Sequence, residues 1–413
     1  MRYWICAALS MLAVGGFAQD AAIVGAKIEI GNGKSIPKGT VLIRGGKIAE
    51  VGANVTVPAG VPVYDGAGAT VYPGFIDGYT TAGLRIPAAP EGATPPNNTV
   101  TAPPTMWEQN RRGIRGAVNA ADCFDLAGVL EDAHKAGITS ALFSPGSGLV
   151  RGRAAFGFLT DDKQTGKPFG VALSFRGGGG GGGGGGGYPG TLFGLAALLR
   201  QTLADAQAYN ANPPSKEDLD LKGMAPLFKG ESAIFAADSE SDFYRTIQVA
   251  NEFKLNLMVS GGREAFRRAD QFAKMNVPVL VNIAIGNEPN DKAQPDGPPQ
   301  GYLDERKIAW KERAENVMVL EKAKVTYAFS SDAGGFDGYL ENIRKLVKLG
   351  LSKDSALKAM TTTPARIFGM DKELGSVEKG KIANLVIMTG DFSEDASKVK
   401  AVFVMGKKFE VAK

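Results

Sequence analysis

Between residues 71 and 360 the chain alternates short β-rich runs with segments of helical spacing, and this alternation restricts the fold more than any other feature. The runs are 71–76, 138–143, 171–175, 233–237, 255–259, 277–283 and 324–329, with an eighth placed around 155–159. Apolar residues recur at helical intervals over 124–136, 192–209, 242–254, 264–275, 338–349 and 352–360. Ser352 suits a helix N-cap, and Pro364 ends regular helix soon after. Strands separated by helices of this length pair in parallel, and the expected architecture is a closed (β/α)8 barrel.

The two ends of the chain read differently. Residues 20–70 look like short strands joined by glycine turns: Gly31-Asn32-Gly33 is a hairpin signal, and 40–43 and 47–51 flank Gly45-Gly46. Pro62 suits an edge strand. Strand patterns return at 383–388 and 400–405, with turns at Gly390 and Gly406. Neither end has enough strands to bury a core alone. The fold class expected is therefore α/β: a TIM-like (β/α)8 barrel over 71–371, plus a composite β-sandwich domain formed by both chain ends, 19–70 and 372–413.

Composition excludes some functions. The 413 residues are 44% hydrophobic and 22% charged, an ordinary globular balance. A net charge of +4 is too dilute for a nucleic-acid partner, and no Lys/Arg cluster alternates with aromatics. The N-terminus reads as a secretion signal over 1–18: Arg2, an apolar run over 3–14, then Gly16-Phe17-Ala18 with small residues suited to cleavage before Gln19. The apolar run is short for a membrane span, so a secreted or periplasmic product without a span after cleavage is expected. Cleavage removes Cys6 and leaves Cys123, so no intramolecular disulfide forms; Cys123 is expected as a small buried apolar residue.

Several segments together resemble the amidohydrolase superfamily, in its secreted, imidazolonepropionase-like branch. The opening AKIEIGNGKSIPKGTVLIRGGKIAEVG is similar to that family's first sandwich strands, and VYPGFIDGYTTAGL to its first barrel strand. AHKAGITSALFSPGSGLVRGR resembles a helix-to-strand entry, FSSDAGG the last barrel strand, and LVKLGLSKDSALKAMTTTPARIFGM with LGSVEKGKIANLVIM the closing helices and returning strand. The resemblance implies a metal-assisted hydrolase of non-peptide C–N bonds, often in cyclic amides or amidines, with zinc as the family metal.

The chain departs from that pattern at its centre. The family's first strand ends D-x-H-x-H, and its two histidines bind metal; here Asp77 is followed by Tyr79 and Thr81 at the histidine positions. Ser260 falls about where the family's strand-five histidine stands, followed by Gly262 and Arg263. The one histidine of the chain, His134, belongs to a helix entering a strand from the non-catalytic face, where a solvated surface side chain is expected. A zinc hydrolase needs about three protein ligands to acidify its water. No cofactor is therefore expected. Oxygen-only sites suit harder ions, and such a site requires Asp77, Asp332 and Glu264 to converge.

Asp332 corresponds to the family's catalytic aspartate; the alternative is a loop cap at a strand end. Asp77 either joins the site or accepts structural hydrogen bonds. Tyr79 and Thr81 share one face of a strand, and they either bind a ligand or fill the space a metal left. Arg263 binds an anion or makes a surface ion pair. The glycine run 177–187 is a lid or a tolerated insertion, and loops 87–105 and 286–301 are expected over the same face. Three functions stay open. One is a degenerate amidohydrolase that binds a small molecule through Tyr79, Thr81, Ser260, Arg263, Asp77 and Asp332. Another is an active hydrolase using Asp332 as general base or in a carboxylate-only metal site. The last is a homo-oligomer or partner subunit of a paralogous periplasmic hydrolase.

Overall fold

The computed structural model describes residues 20–87, 113–164, 166–175, 191–215, 217–290, 292 and 297–411. Residues 1–18, expected as a secretion signal, the glycine run 177–187 and nearly all of loop 87–105 lie outside the described residues.

Both chain ends build one sheet. Strands β1 (Ala21–Glu29), β2 (Ser35–Arg44), β3 (Lys47–Gly52), β4 (Val63–Asp65) and β5 (Thr70–Pro73) come from the first end. The barrel strands, given below, take the labels β6 to β13. Strands β14 (Leu385–Met388), β15 (Val399–Val404) and β16 (Lys407–Glu410) come from the other end. The order is β16-β15-β14-β5-β1-β2-β3, with β4 beside β1. The seam is β14 antiparallel to β5, with Leu385 opposite Pro73 and Met388 opposite Thr70. Ile23, Ile28, Val41, Ile43, Val71, Leu385, Ile387 and Phe403 form its buried core. Neither end buries that core alone, because the apolar faces of β5 and β14 meet only across the seam.

The run 71–76, expected as one strand, is two. At Gly74 the chain leaves the terminal sheet and enters the barrel as β6 (Phe75–Thr80). A Cβ at Gly74 would lie 2.2 Å from Thr139 Oγ1, so only glycine lets the two layers approach this closely. The barrel continues with β7 (Ile138–Phe143), β8 (Val150–Phe158), β9 (Lys167–Ser174), β10 (Ser232–Ala237), β11 (Asn256–Gly261), β12 (Val279–Asn282) and β13 (Tyr327–Ser330), in sequential order. It closes where Asp332 N–H donates to the Tyr79 carbonyl at 2.9 Å and Thr81 N–H to the Asp332 carbonyl at 3.4 Å.

One strand breaks the parallel rule. β8 runs antiparallel to both β7 and β9. The links 144–149 and 159–166 are too short to carry the crossover helix that parallel strands require. Reversal puts the start of β8 at the end of the barrel where the parallel strands finish. Inside, Ile76, Tyr79, Leu142, Phe156, Ile234, Met258, Leu280 and Ala328 pack together, and Ala365, Phe368, Met370 and Leu374 join the same cluster.

Outside, the helices Leu192–Ala211, Glu240–Glu252, Tyr339–Lys348 and Lys353–Met360 fall close to their expected places. The Ser352 hydroxyl accepts from Ser355 N–H, as an N-cap does. The helix expected over 124–136 shrinks to Leu130–Lys135. Pro364 does not stop helix; it sits in the first turn of Thr362–Ile367, where its missing N–H costs no intrahelical bond. The helices Gln300–Ala314 and Asn316–Lys322 were not foreseen, because the first is largely polar and buries only Leu303 and Ala314.

His134 is the clearest correction. It is 5% exposed, its Nε2 lies 2.8 Å from the Leu159 carbonyl, and its ring packs at a tilt against Phe409, centroids 4.6 Å apart. β16 covers a helix face that is polar in local sequence. Burial holds the imidazole below its usual pKa. Cys123 is only partly buried.

Candidate functional site

The mouth of the barrel is built around the junction of β6 and β13. Asp77 is fully buried there. Its Oδ1 accepts from Ser331 N–H at 2.9 Å and from Tyr79 N–H at 3.2 Å, and its Oδ2 from the Ser331 hydroxyl at 2.5 Å. Burial pushes its pKa up to about 7, against the lowering effect of the Ser331 and Tyr79 hydrogen bonds; nearby Asp332 adds a smaller upward push. The Tyr339 hydroxyl is buried without a hydrogen-bond partner among the described residues, and burial raises its pKa well above the usual phenol value.

Asp332 follows β13 with φ 53°, in the left-handed region that a non-glycine residue rarely adopts. Its backbone closes the barrel, and its Oδ2 accepts from Asn282 Nδ2 at 3.2 Å. Asn282 is fixed in turn because its Oδ1 accepts from Ala284 N–H at 2.9 Å. Backbone held in a sparsely populated conformation clusters at functional sites.

Tyr79 and Thr81 do not share one environment. Tyr79 points into the barrel and is 1% exposed, whereas Thr81 lies past the end of β6 and is half-buried. Arg151, at the reversed start of β8, donates from Nη1 to Tyr79 Oη at 3.1 Å and is itself only 7% exposed. Ser260 lies on the same side of β11 as Met258, facing the interior; it is 1% exposed and its hydroxyl has no hydrogen-bond partner among the described residues.

Two expected residues sit apart. Arg263 is half-exposed and pairs with Asp238 at 3.9 Å. Glu264 Oε2 accepts from Glu240 N–H at 3.2 Å, on the outer rim. Among the described residues no three His, Cys, Asp or Glu side chains come together to hold a metal ion, so Asp77, Asp332 and Glu264 do not converge. The donor set at the mouth does not fit a zinc ion: phenol and alcohol oxygens stand where imidazoles are needed, and a guanidinium lies against the phenol. Sequence reasoning missed Arg151 and Asn282. For Arg151 one signal was available, an arginine inside the apolar run 149–159.

Residues 300–409 match the amidohydrolase family model. The structure is similar to that of an amidohydrolase from Thermotoga maritima MSB8, with a TM-score of 0.74 at 22% identity over 94% of this chain and 100% of the other. It is also similar to a prolidase complexed with N-methylphosphonate-L-proline, with a TM-score of 0.57 at 16% identity over 95% and 100%. A Xaa-Pro dipeptidase with methionine bound in its active site aligns with a TM-score of 0.51 at 14% identity over 95% and 100%. The C-terminal quarter of the sequence thus resembles the amidohydrolase family, and the whole chain shares its fold with these structures.

Proposed function

We propose that this protein is an exported amidohydrolase-fold protein that binds a small molecule at the barrel mouth without the zinc centre of its superfamily. The observation that carries this reading is the Tyr79–Arg151 pair, which puts a fixed positive charge beside one of the two strand-one positions where the superfamily places metal-binding histidines. A cation held there opposes a divalent ion by direct repulsion in a poorly solvated site. The neighbouring folds act on or bind peptide-like molecules according to their descriptions, so the ligand is taken to be of that size. Homo-oligomers, or pairing with an active paralogous hydrolase, are compatible with this role. Among the described residues no helix is long and apolar enough to cross a membrane.

The test is elemental analysis of the mature protein, purified without chelators or a polyhistidine tag. Metal well below one ion per chain is expected, and near-stoichiometric metal sinks the reading.

A second reading rests on the strained backbone of Asp332 and its clamp by Asn282. Here Asp332 is a general base toward a bound C–N substrate. Asp332→Asn then abolishes any turnover of N-acyl amino acids or cyclic amides by the wild type. Turnover that survives the substitution removes this alternative.

A further inference from the structure

Resting on the metal-free reading of the mouth, we infer that Arg151 is the anchor of a carboxylate-binding site, and that the protein's ligand is a small molecule bearing a carboxylate. A guanidinium donates through five N–H groups, and the edge carrying Nε and Nη2 matches the two oxygens of a carboxylate. In this structure the opposite side is used: Nη1 donates to Tyr79 Oη. Nε is buried and has no hydrogen-bond partner among the described residues. No acidic side chain among them pairs with Arg151, whereas Arg153, Arg245 and Arg267 each have one. A buried charge without a counter-charge is costly, and a protein that retains one gains from it elsewhere.

The surroundings support the same ligand. Ser260 faces the interior from another strand, its buried hydroxyl without a hydrogen-bond partner among the described residues. The paired inward positions on β9, β10 and β11 are Ser174, Ala236 and Ser260, all small, and β12 continues the row with Leu280. A barrel packed only for stability fills such a layer with bulky branched side chains. Here three neighbouring strands, β9, β10 and β11, supply none. The Tyr79 bond orients the guanidinium, so a ligand does not have to immobilise a flexible side chain on arrival.

The experiment is calorimetric titration at low ionic strength with N-acetylglycine, its neutral amide N-acetylglycinamide, and inorganic phosphate, on wild type, Arg151→Gln and Arg151→Lys. N-acetylglycine is expected to bind wild type at least about tenfold more tightly than either the neutral amide or phosphate, and Arg151→Gln to erase that preference. Arg151→Lys keeps the charge without the fork and is expected to fall between the two, so the result stands even if Arg151→Gln does not fold. Equal binding of acid and amide, binding of phosphate as tight as the carboxylate, undiminished preference in either variant, or no binding of the acid overturns the inference. Stoichiometric metal in the wild type removes the underlying reading instead, whereas a metal-free protein indifferent to carboxylates removes only this one.

Discussion

Asp77→Ala is expected to destabilise the protein by about 3–5 kcal/mol, enough to lower its melting temperature by many degrees. The carboxylate is completely buried and serves three donors at once: Ser331 N–H, Ser331 Oγ–H and Tyr79 N–H. These bonds tie β6 to β13, the two strands whose junction closes the barrel. Alanine leaves all three donors without an acceptor in a place water does not reach, and each such loss costs ~1–3 kcal/mol. Asp77→Asn separates shape from charge, because the amide still offers an acceptor oxygen. The sign of its pH effect follows from the raised pKa. The folded carboxyl titrates at about 7 and the unfolded one near the ordinary 3.8, so the folded state holds the proton over that window. Its contribution to stability is complete below the unfolded value and is lost as pH rises toward 7, with a slope of at most ~1.4 kcal/mol per pH unit. Wild type should therefore lose stability relative to Asp77→Asn between about pH 4 and pH 7, and run parallel to it above. Denaturation curves across that range decide the matter. Parallel curves throughout would falsify the burial argument, and an Asp77→Ala loss under ~1 kcal/mol would remove the claim that this residue holds the seam.

Phe368→Ala is expected to cost about 3–5 kcal/mol. Phe368 is 2% exposed and follows directly on the helix Thr362–Ile367. Its ring meets Phe156 at 5.6 Å and Phe169 edge-on at 5.2 Å, so it packs the terminal helix segment against β8 and β9. Truncation removes those contacts and leaves a cavity that the rigid barrel wall cannot collapse into. Phe368→Leu fills part of the space and should cost less than half as much. The check is chemical denaturation with the slope unchanged. If both variants lose equally, or alanine loses less than ~1.5 kcal/mol, Phe368 is not packed against β8 and β9 as described.

The alternation of β and α over 71–360 was legible because parallel barrel strands are buried on both faces and appear as unbroken apolar runs. β8 was half-seen: its register and direction depend on link lengths that only become meaningful once the neighbouring strands are known. The polar helix Gln300–Ala314 carried too thin an apolar stripe to be recognised. At the site, Tyr79 and Thr81 were legible as a pair because they alternate at a patterned strand end, yet only Tyr79 enters the barrel. Arg263 and Glu264 follow β11 directly in sequence, but the turn at Gly261 and Gly262, both at positive φ, carries them to the rim.

By itself the sequence determined most of the barrel's element types, the joining of both ends in one sheet, and the confinement of the chain's one imidazole to His134. Those properties depend on periodicity and residue chemistry, which are local. The tertiary structure alone decided that Arg151 meets Tyr79, that Asp77 is locked to Ser331 and that His134 is covered by β16. Each of these joins residues far apart in the chain, and their partnership follows from the reversal of one strand, the closure of the barrel and the packing of one sheet on another, none of which leaves a periodic trace in sequence.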